Sequence, residues 1–144
     1  MAEKDDLDKV VEQYHLALDE LLKGSAQGYK KLFSHRDDVT LANPFGPPVR
    51  GWDEVALTLE RAASYYRDGE ATGFENVAKY VTAELAYTVE MERMQAKVEG
   101  RDDVTPIAAR VTTIFRPEEG AWKVVHRHAD PITTPQPAES VIQE

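Results

Sequence analysis

The stretch RVTTIFRPEEGAWKVVHRH, residues 110–128, decides the fold class. Both of its halves are rich in β-branched and aromatic residues, and residues 117–120 between them have the composition of a turn. Extended outward, the pattern predicts two strands, residues 105–116 and 121–130, joined as a hairpin. The preceding segments, residues 74–82 and 84–98, predict two further strands of the same antiparallel sheet.

The N-terminal half has helical periodicity instead. Apolar residues at three- and four-residue steps predict a helix over residues 5–23, and a short second helix follows over residues 25–33. Residues 39–41 predict a short strand, and Gly51 and Gly69 bound a third helix with one apolar stripe. Helices that precede a run of strands indicate an α+β fold.

Composition limits the classes of function. The chain has 144 residues, of which 17 are basic and 26 acidic, for a net charge of −9. This length predicts one domain, over residues 1–130, with a proline-containing tail over residues 131–144. The negative charge argues against nucleic-acid binding, which requires a basic surface. The lack of cysteine excludes a disulfide scaffold, a zinc finger and a thiol nucleophile.

Location is also predicted from composition. The first residues lack the basic and apolar regions of a signal peptide, and no apolar run has the length of a membrane span. We therefore expect a cytoplasmic protein that does not contact a membrane.

Three stretches resemble one protein superfamily. They are DDVTLANPFGPPVRG at residues 37–51, ELAYTVE at residues 84–90 and the hairpin at residues 110–128. With the order of the helices, residues 5–130 resemble the superfamily named after nuclear transport factor 2. It includes ketosteroid isomerase, scytalone dehydratase, SnoaL-type polyketide cyclases and the association domain of calcium/calmodulin-dependent kinase. The first stretch is similar to the isomerase, and the hairpin is similar to SnoaL-like domains and the kinase association domain.

The resemblance implies a cone, in which a curved antiparallel sheet wraps around three N-terminal helices and encloses one deep apolar pocket. It also implies assembly on the outer face of the sheet. The residues support this, since Val111 and Phe115 alternate with Thr112 and Ile114, and one helical layer covers only one face of a sheet. We therefore expect a homodimer through the outer sheet face.

Tyr14 and Asn43 are candidate catalytic residues by this resemblance. Asn43 stands where the isomerase has its proton-transferring aspartate, and an amide cannot be a general base, so steroid isomerisation is not expected. Asn43 is either a loop residue that bonds its own backbone before Pro44 or a donor at the pocket mouth. Tyr14 falls near the oxyanion tyrosine of the isomerase, or it is a core tyrosine with its hydroxyl satisfied locally.

Arg110 and Arg127 are the candidate anion-binding residues. Matching the hairpin turn of the superfamily places both inward, where two guanidinium groups would bind a carboxylate. Alternatively, ion pairs with Glu90 or Glu92 on a neighbouring strand use both arginines. By apolar content alone, the core face of the last strand would instead carry Trp122, Val124, His126 and His128.

The histidines of the last strand allow two interpretations. His126, His128 and Asp130 share a face and could chelate a metal. We favour hydrogen-bonded imidazoles at the outer face or rim of the sheet and expect no metal and no cofactor. His128 is nevertheless a candidate catalytic group, since few other ionisable residues lie near the predicted pocket. Trp52, Tyr66 and Tyr87 are candidate ligand-binding residues that could line the pocket.

These observations predict a protein that binds a small, apolar organic molecule with a carbonyl or carboxylate group. As an enzyme it would be a cofactor-free isomerase, dehydratase or cyclase of an enolisable compound, with Tyr14 and Asn43 polarising the carbonyl and Arg110 or Arg127 holding an anion. The alternative is a non-catalytic module for homo-oligomerisation or ligand sensing.

Overall fold

The computed structural model describes residues 4–143, with side chains from residue 6 onward. Its three α-helices are α1 (Lys4–Leu21), α2 (Gln27–Leu32) and α3 (Trp52–Ser64). Gly24 follows α1 with a φ of 99°, and Gly51 precedes α3 with a φ of 90°, a backbone conformation that favours glycine. No helix within residues 4–143 is long and apolar enough to cross a membrane.

Six strands form one curved sheet. They are β1 (Thr40–Ala42), β2 (Val49–Arg50), β3 (Tyr66–Val81), β4 (Ala86–Val98), β5 (Thr105–Glu118) and β6 (Ala121–Asp130). Their order across the sheet is β2-β1-β6-β5-β4-β3, and every neighbouring pair is antiparallel except β1 and β6. A 3₁₀-helix, Ala138–Val141, lies in the exposed tail. The α+β architecture of three helices and a curved sheet confirms the predicted fold class.

The third helix is shorter than predicted, and β3 begins well before residue 74. The helix ends at Ser64, and Tyr66 pairs with Val98 as the first residue of the strand. Three register shifts interrupt the pairing of β3 with β4. Such bulges bend a strand and disturb its alternation, which hid the strand from a search for a period of two. Gly69 lies in this segment, where an added Cβ would come within 2.5 Å of the Cβ of Ala96.

A bulge in β6 decides which side chains face the core. Ile114 pairs with His126 and Phe115 pairs with Val124, so Val125 is the extra residue. Trp122 and Val124 face inward before the bulge, and Arg127 and Ala129 face inward after it, because all four are buried. The orientation predicted from apolar content is therefore correct before the bulge, and the orientation predicted from the superfamily is correct after it.

The core packs aromatic rings between the helices and the sheet. Tyr14 of α1 and Tyr29 of α2 meet edge to face with centroids 5.4 Å apart, and Phe33 and Phe115 extend the cluster. The guanidinium carbon of Arg127 lies 5.4 Å and 5.3 Å from the centroids of the two tyrosine rings. The cluster thus holds Arg127 against the inner face of the sheet.

Candidate functional site

An apolar cavity opens between the helices, the loop after β1 and the inner face of the sheet. Its empty volume, including open solvent at the mouth, is about 640 Å³. Most of the wall is aliphatic or aromatic: Leu18, Leu21, Leu22, Leu41, Pro44, Phe45, Leu59, Ala62, Met94, Ile107, Ala108, Ala109, Ala129 and Pro131. Its polar members are Tyr29, Asn43, Tyr66, Glu92 and Arg127. A mostly apolar wall with a few polar groups is the usual composition of a small-molecule site.

A buried ion pair forms part of the wall. Arg127 of β6 reaches over β5 and donates from Nη2 to Oε1 of Glu92 at 2.9 Å and from Nη1 to Oε2 at 3.0 Å. The side chains are 8% and 1% exposed. Burial alone would lower the pKa of Arg127, but the adjacent Glu92 carboxylate outweighs it and holds that pKa well above its ordinary value. The ion-pair interpretation of this arginine is therefore confirmed.

Tyr14 supports this pair from behind. The Nη1 group of Arg127 donates to the Tyr14 hydroxyl at 2.6 Å, and that hydroxyl lies 2.8 Å from Oγ1 of Thr113. Burial raises the pKa of Tyr14 to about 12. Tyr14 is not among the residues of the cavity wall. It is thus a core tyrosine that positions Arg127, and the predicted direct contact with a ligand oxygen is not supported.

Tyr29 is the polar residue that the sequence did not single out. Its hydroxyl is buried and has no hydrogen-bond partner among residues 4–143, although the residue lines the cavity. Burial raises the pKa of Tyr29 well above its ordinary value, so the hydroxyl keeps its proton. No motif surrounds this residue. The one signal was a large polar aromatic residue on a short, otherwise basic helix segment, which periodicity cannot distinguish from core packing.

Asn43 and Tyr66 lie on the cavity, where the sequence placed them. Oδ1 of Asn43 accepts the backbone N–H of Phe45 at 3.1 Å, so the interpretation as a loop residue that bonds its own backbone is confirmed. The same residue lies on the cavity wall. Tyr66 begins β3, and burial raises its pKa. Ligand roles for Asn43 and Tyr66 stay predictions.

Arg110 and Tyr87 do not face the cavity, which corrects the prediction for both. Arg110 is 57% exposed, and its Nε donates to Oδ1 of Asp130 at 2.8 Å. The large apolar residues Val111 and Phe115 take the inner face of β5, and alternation then turns Arg110 outward. For the same reason Tyr87 is exposed on β4 and stacks on Tyr80, with centroids 5.6 Å apart.

His128 and Trp52 are also away from the cavity. His128 is 54% exposed, with Nε2 3.2 Å from a carboxylate oxygen of Asp130, so it lies on the outer face of the sheet rather than at the cavity. Trp52 stacks on His35 with centroids 3.8 Å apart, at a separate surface depression near the start of α3. No group of three or more histidine, aspartate or glutamate residues in the described part of the chain could hold a metal ion.

Family comparison agrees with this architecture. The SnoaL-like domain model matches residues 7–133, which is nearly the whole chain. The chain belongs to the SnoaL-like domain family. The predicted superfamily is thereby confirmed, and the resemblance of the hairpin to SnoaL-like domains extends to the full fold. No curated protein shows a significant similarity to this SnoaL-like chain.

Solved structures share the fold at low sequence identity. A proposed dehydratase of the nuclear transport factor 2-like family from Streptomyces avermitilis has a TM-score of 0.73 at 15% identity, over 90% of this chain and 97% of that one. A ketosteroid isomerase-like protein from Erwinia carotovora atroseptica has a TM-score of 0.72 at 18% identity, over 88% and 94%. A proposed calcium/calmodulin-dependent protein kinase type II association domain from Thiobacillus denitrificans has a TM-score of 0.69 at 20% identity, over 88% and 94%. At these identities the likeness establishes the fold alone.

Proposed function

We propose that this SnoaL-like chain binds a small, mostly apolar organic molecule in the cavity behind the loop after β1. One observation carries the proposal: an open apolar cavity has a few polar residues on its wall, and one of them, Tyr29, has a buried hydroxyl with no hydrogen-bond partner among residues 4–143. A buried hydroxyl without a partner costs about 1–3 kcal/mol. A ligand that supplies the missing partner would recover this cost.

The proposal is tested by filling the cavity. Ala109 lines the wall from the inner face of β5, so Ala109→Phe places a ring into the space that a ligand would occupy. Ala121 is exposed at the start of β6, and Ala121→Phe is the matched control. The probes are ethylbenzene, acetophenone and methyl benzoate, each titrated against the ¹⁵N-labelled protein. We expect shifts of amides around the cavity in the wild type and Ala121→Phe, and none in Ala109→Phe. The absence of such shifts in the wild type with all three probes would contradict the proposal.

Acid–base catalysis on the bound molecule is a second candidate. Glu92 is the one carboxylate on the cavity wall within the described residues, and a carboxylate beside a bound carbonyl compound can remove an α-proton. To do so, Glu92 would have to release one of its two hydrogen bonds from Arg127. The enzyme would then be a cofactor-free isomerase, dehydratase or cyclase. The test is exchange of the methyl protons of acetophenone into deuterium oxide. Catalysis is supported if the wild type exchanges these protons faster than buffer alone and Ala109→Phe does not. Exchange at the buffer rate with the wild type would limit the site to binding.

We also propose that the chain forms a homodimer through the outer face of the sheet, as expected of an assembly module. Tyr87 and Ile114 lie side by side on this face, and Tyr80 stacks on Tyr87. An aromatic stack in the open costs hydration free energy that a second copy would recover. Sedimentation at micromolar concentration should give twice the monomer mass, and Tyr87→Glu should give the monomer. A monomeric wild type would refute this interface.

A further inference from the structure

We infer that Glu92 sets the charge selectivity of the cavity. By neutralising Arg127, Glu92 excludes anionic ligands. The Tyr29 hydroxyl anchors an uncharged oxygen acceptor such as a carbonyl. This inference rests on the proposed binding function and narrows the class of ligand. It replaces the carboxylate ligand that the two arginines suggested from sequence.

The charges on the cavity wall disfavour ionic ligands. Within the described residues, Glu92 and Arg127 are the charged members of the cavity lining, and they pair with each other through both carboxylate oxygens. The cavity is therefore neutral. A bound carboxylate would place a second negative charge next to Glu92 in a region of low dielectric, where an uncompensated charge is strongly unfavourable. Ligand cations are disfavoured in the same way by Arg127.

The polar groups around the cavity differ in whether their hydrogen bonds are satisfied. The neighbouring Tyr14 hydroxyl is satisfied by Thr113 and Arg127, whereas the Tyr29 hydroxyl has no partner in residues 4–143. Its proton stays in place at neutral pH, so it offers a donor. A carbonyl oxygen accepts such a bond without bringing charge into the cavity. The unmet donor and the neutral wall thus select the same ligand class.

The test compares three molecules of similar shape: acetophenone, which is an uncharged acceptor; benzoate, which is an anion; and ethylbenzene, which has no oxygen. Dissociation constants are measured by amide shifts for the wild type, Tyr29→Phe, Glu92→Gln and the exposed control Tyr80→Phe. In the wild type and the control we expect acetophenone to bind about five- to tenfold tighter than ethylbenzene, as one hydrogen bond allows, and benzoate to bind most weakly. Tyr29→Phe should abolish the advantage of acetophenone and leave ethylbenzene unchanged.

Glu92→Gln tests the selectivity itself. It leaves the Arg127 charge unbalanced, so benzoate should become the tightest of the three ligands. If Glu92→Gln does not fold, Tyr29→Phe still tests whether the Tyr29 hydroxyl anchors the carbonyl. The affinity of the wild type for benzoate still tests whether anions are excluded. Equal binding of acetophenone and ethylbenzene, or preferred binding of benzoate by the wild type, would overturn the inference and leave the binding function standing. Failure of all three molecules to bind the wild type would contradict both.

Discussion

Removal of one partner of the Arg127–Glu92 pair is expected to destabilise the fold far more than removal of both. Both side chains are at least nine-tenths buried, and two hydrogen bonds of 2.9 and 3.0 Å join them. Arg127→Met leaves a buried carboxylate without a counter-charge, and Glu92→Met leaves a buried guanidinium. Breaking such a pair from one side costs about 3–5 kcal/mol, whereas replacing both partners by apolar residues is often neutral.

The magnitude follows from burial and from the contacts that each variant removes. Arg127→Met also removes the donor to the Tyr14 hydroxyl, for about 1 kcal/mol more. Against a total stability of about 5–15 kcal/mol, either single variant loses a large fraction. The double variant should return to within about 2 kcal/mol of the wild type. The coupling energy of the cycle should then be at least about 5 kcal/mol, above the roughly 0.5–3 kcal/mol usual for contacting residues.

The assay is urea unfolding followed by circular dichroism at pH 7, with the slope checked for constancy across variants. Arg110→Met is the matched control, because Arg110 pairs with Asp130 but is 57% exposed, and an exposed pair contributes at most about 1 kcal/mol. Additive losses in the double variant, or a cost for Arg127→Met no larger than that of the control, would refute the assignment of a buried, mutually dependent pair.

Three further outcomes are expected from single substitutions. Tyr29→Phe should raise the stability of the ligand-free protein by about 1 kcal/mol in urea unfolding, because it removes a buried hydroxyl without a partner in residues 4–143. A decrease in stability of about 1 kcal/mol would show instead that the hydroxyl is hydrogen-bonded. As pH rises from 10 through 12, the wild type should lose roughly 2–3 kcal/mol of unfolding free energy relative to Tyr14→Phe. The reason is that the pKa of Tyr14 is about 12 in the fold against 10.0 in the free side chain. The same dependence of unfolding free energy on pH in both proteins would contradict this. Gly69→Ala should cost at least about 2 kcal/mol of stability, since the added Cβ would lie 2.5 Å from the Cβ of Ala96. Gly73→Ala should be nearly neutral, because an added Cβ there has nothing within 4 Å. Equal urea midpoints for the two variants would refute the close packing at Gly69.

The sequence predicted the elements of the fold better than it predicted the orientation of its side chains. The hairpin at the end of the chain carries strong β propensity on both sides of an evident turn, and its strands match the predicted bounds to within a few residues. Orientation depends on a strict period of two. The bulge at Val125 breaks that period in β6, so Arg127 faces the cavity although Trp122 and Val124 also face the core.

The site was predicted in part. Asn43 and Tyr66 lie on the cavity wall, although Tyr66 begins β3 rather than ending the third helix as the sequence predicted. The partner of Arg127 is a glutamate two strands away, and the sequence does not distinguish it from Glu90, which instead pairs with His15. Tyr29 could not be recognised, since an unpaired hydroxyl is a property of the packed core and not of any local pattern. Arg110 was misplaced because the match to the hairpin turn of the superfamily put its face of β5 inward, whereas Val111 and Phe115 occupy the inner face.

The most direct test of the central claim is a crystal structure of the wild-type protein soaked with acetophenone. The account predicts the aromatic ring among the leucine side chains of the cavity, with the carbonyl oxygen about 2.7 Å from the Tyr29 hydroxyl and the Arg127–Glu92 pair intact. A carbonyl oxygen bound instead to Arg127 with the pair broken, or acetophenone bound only outside the cavity, would contradict it.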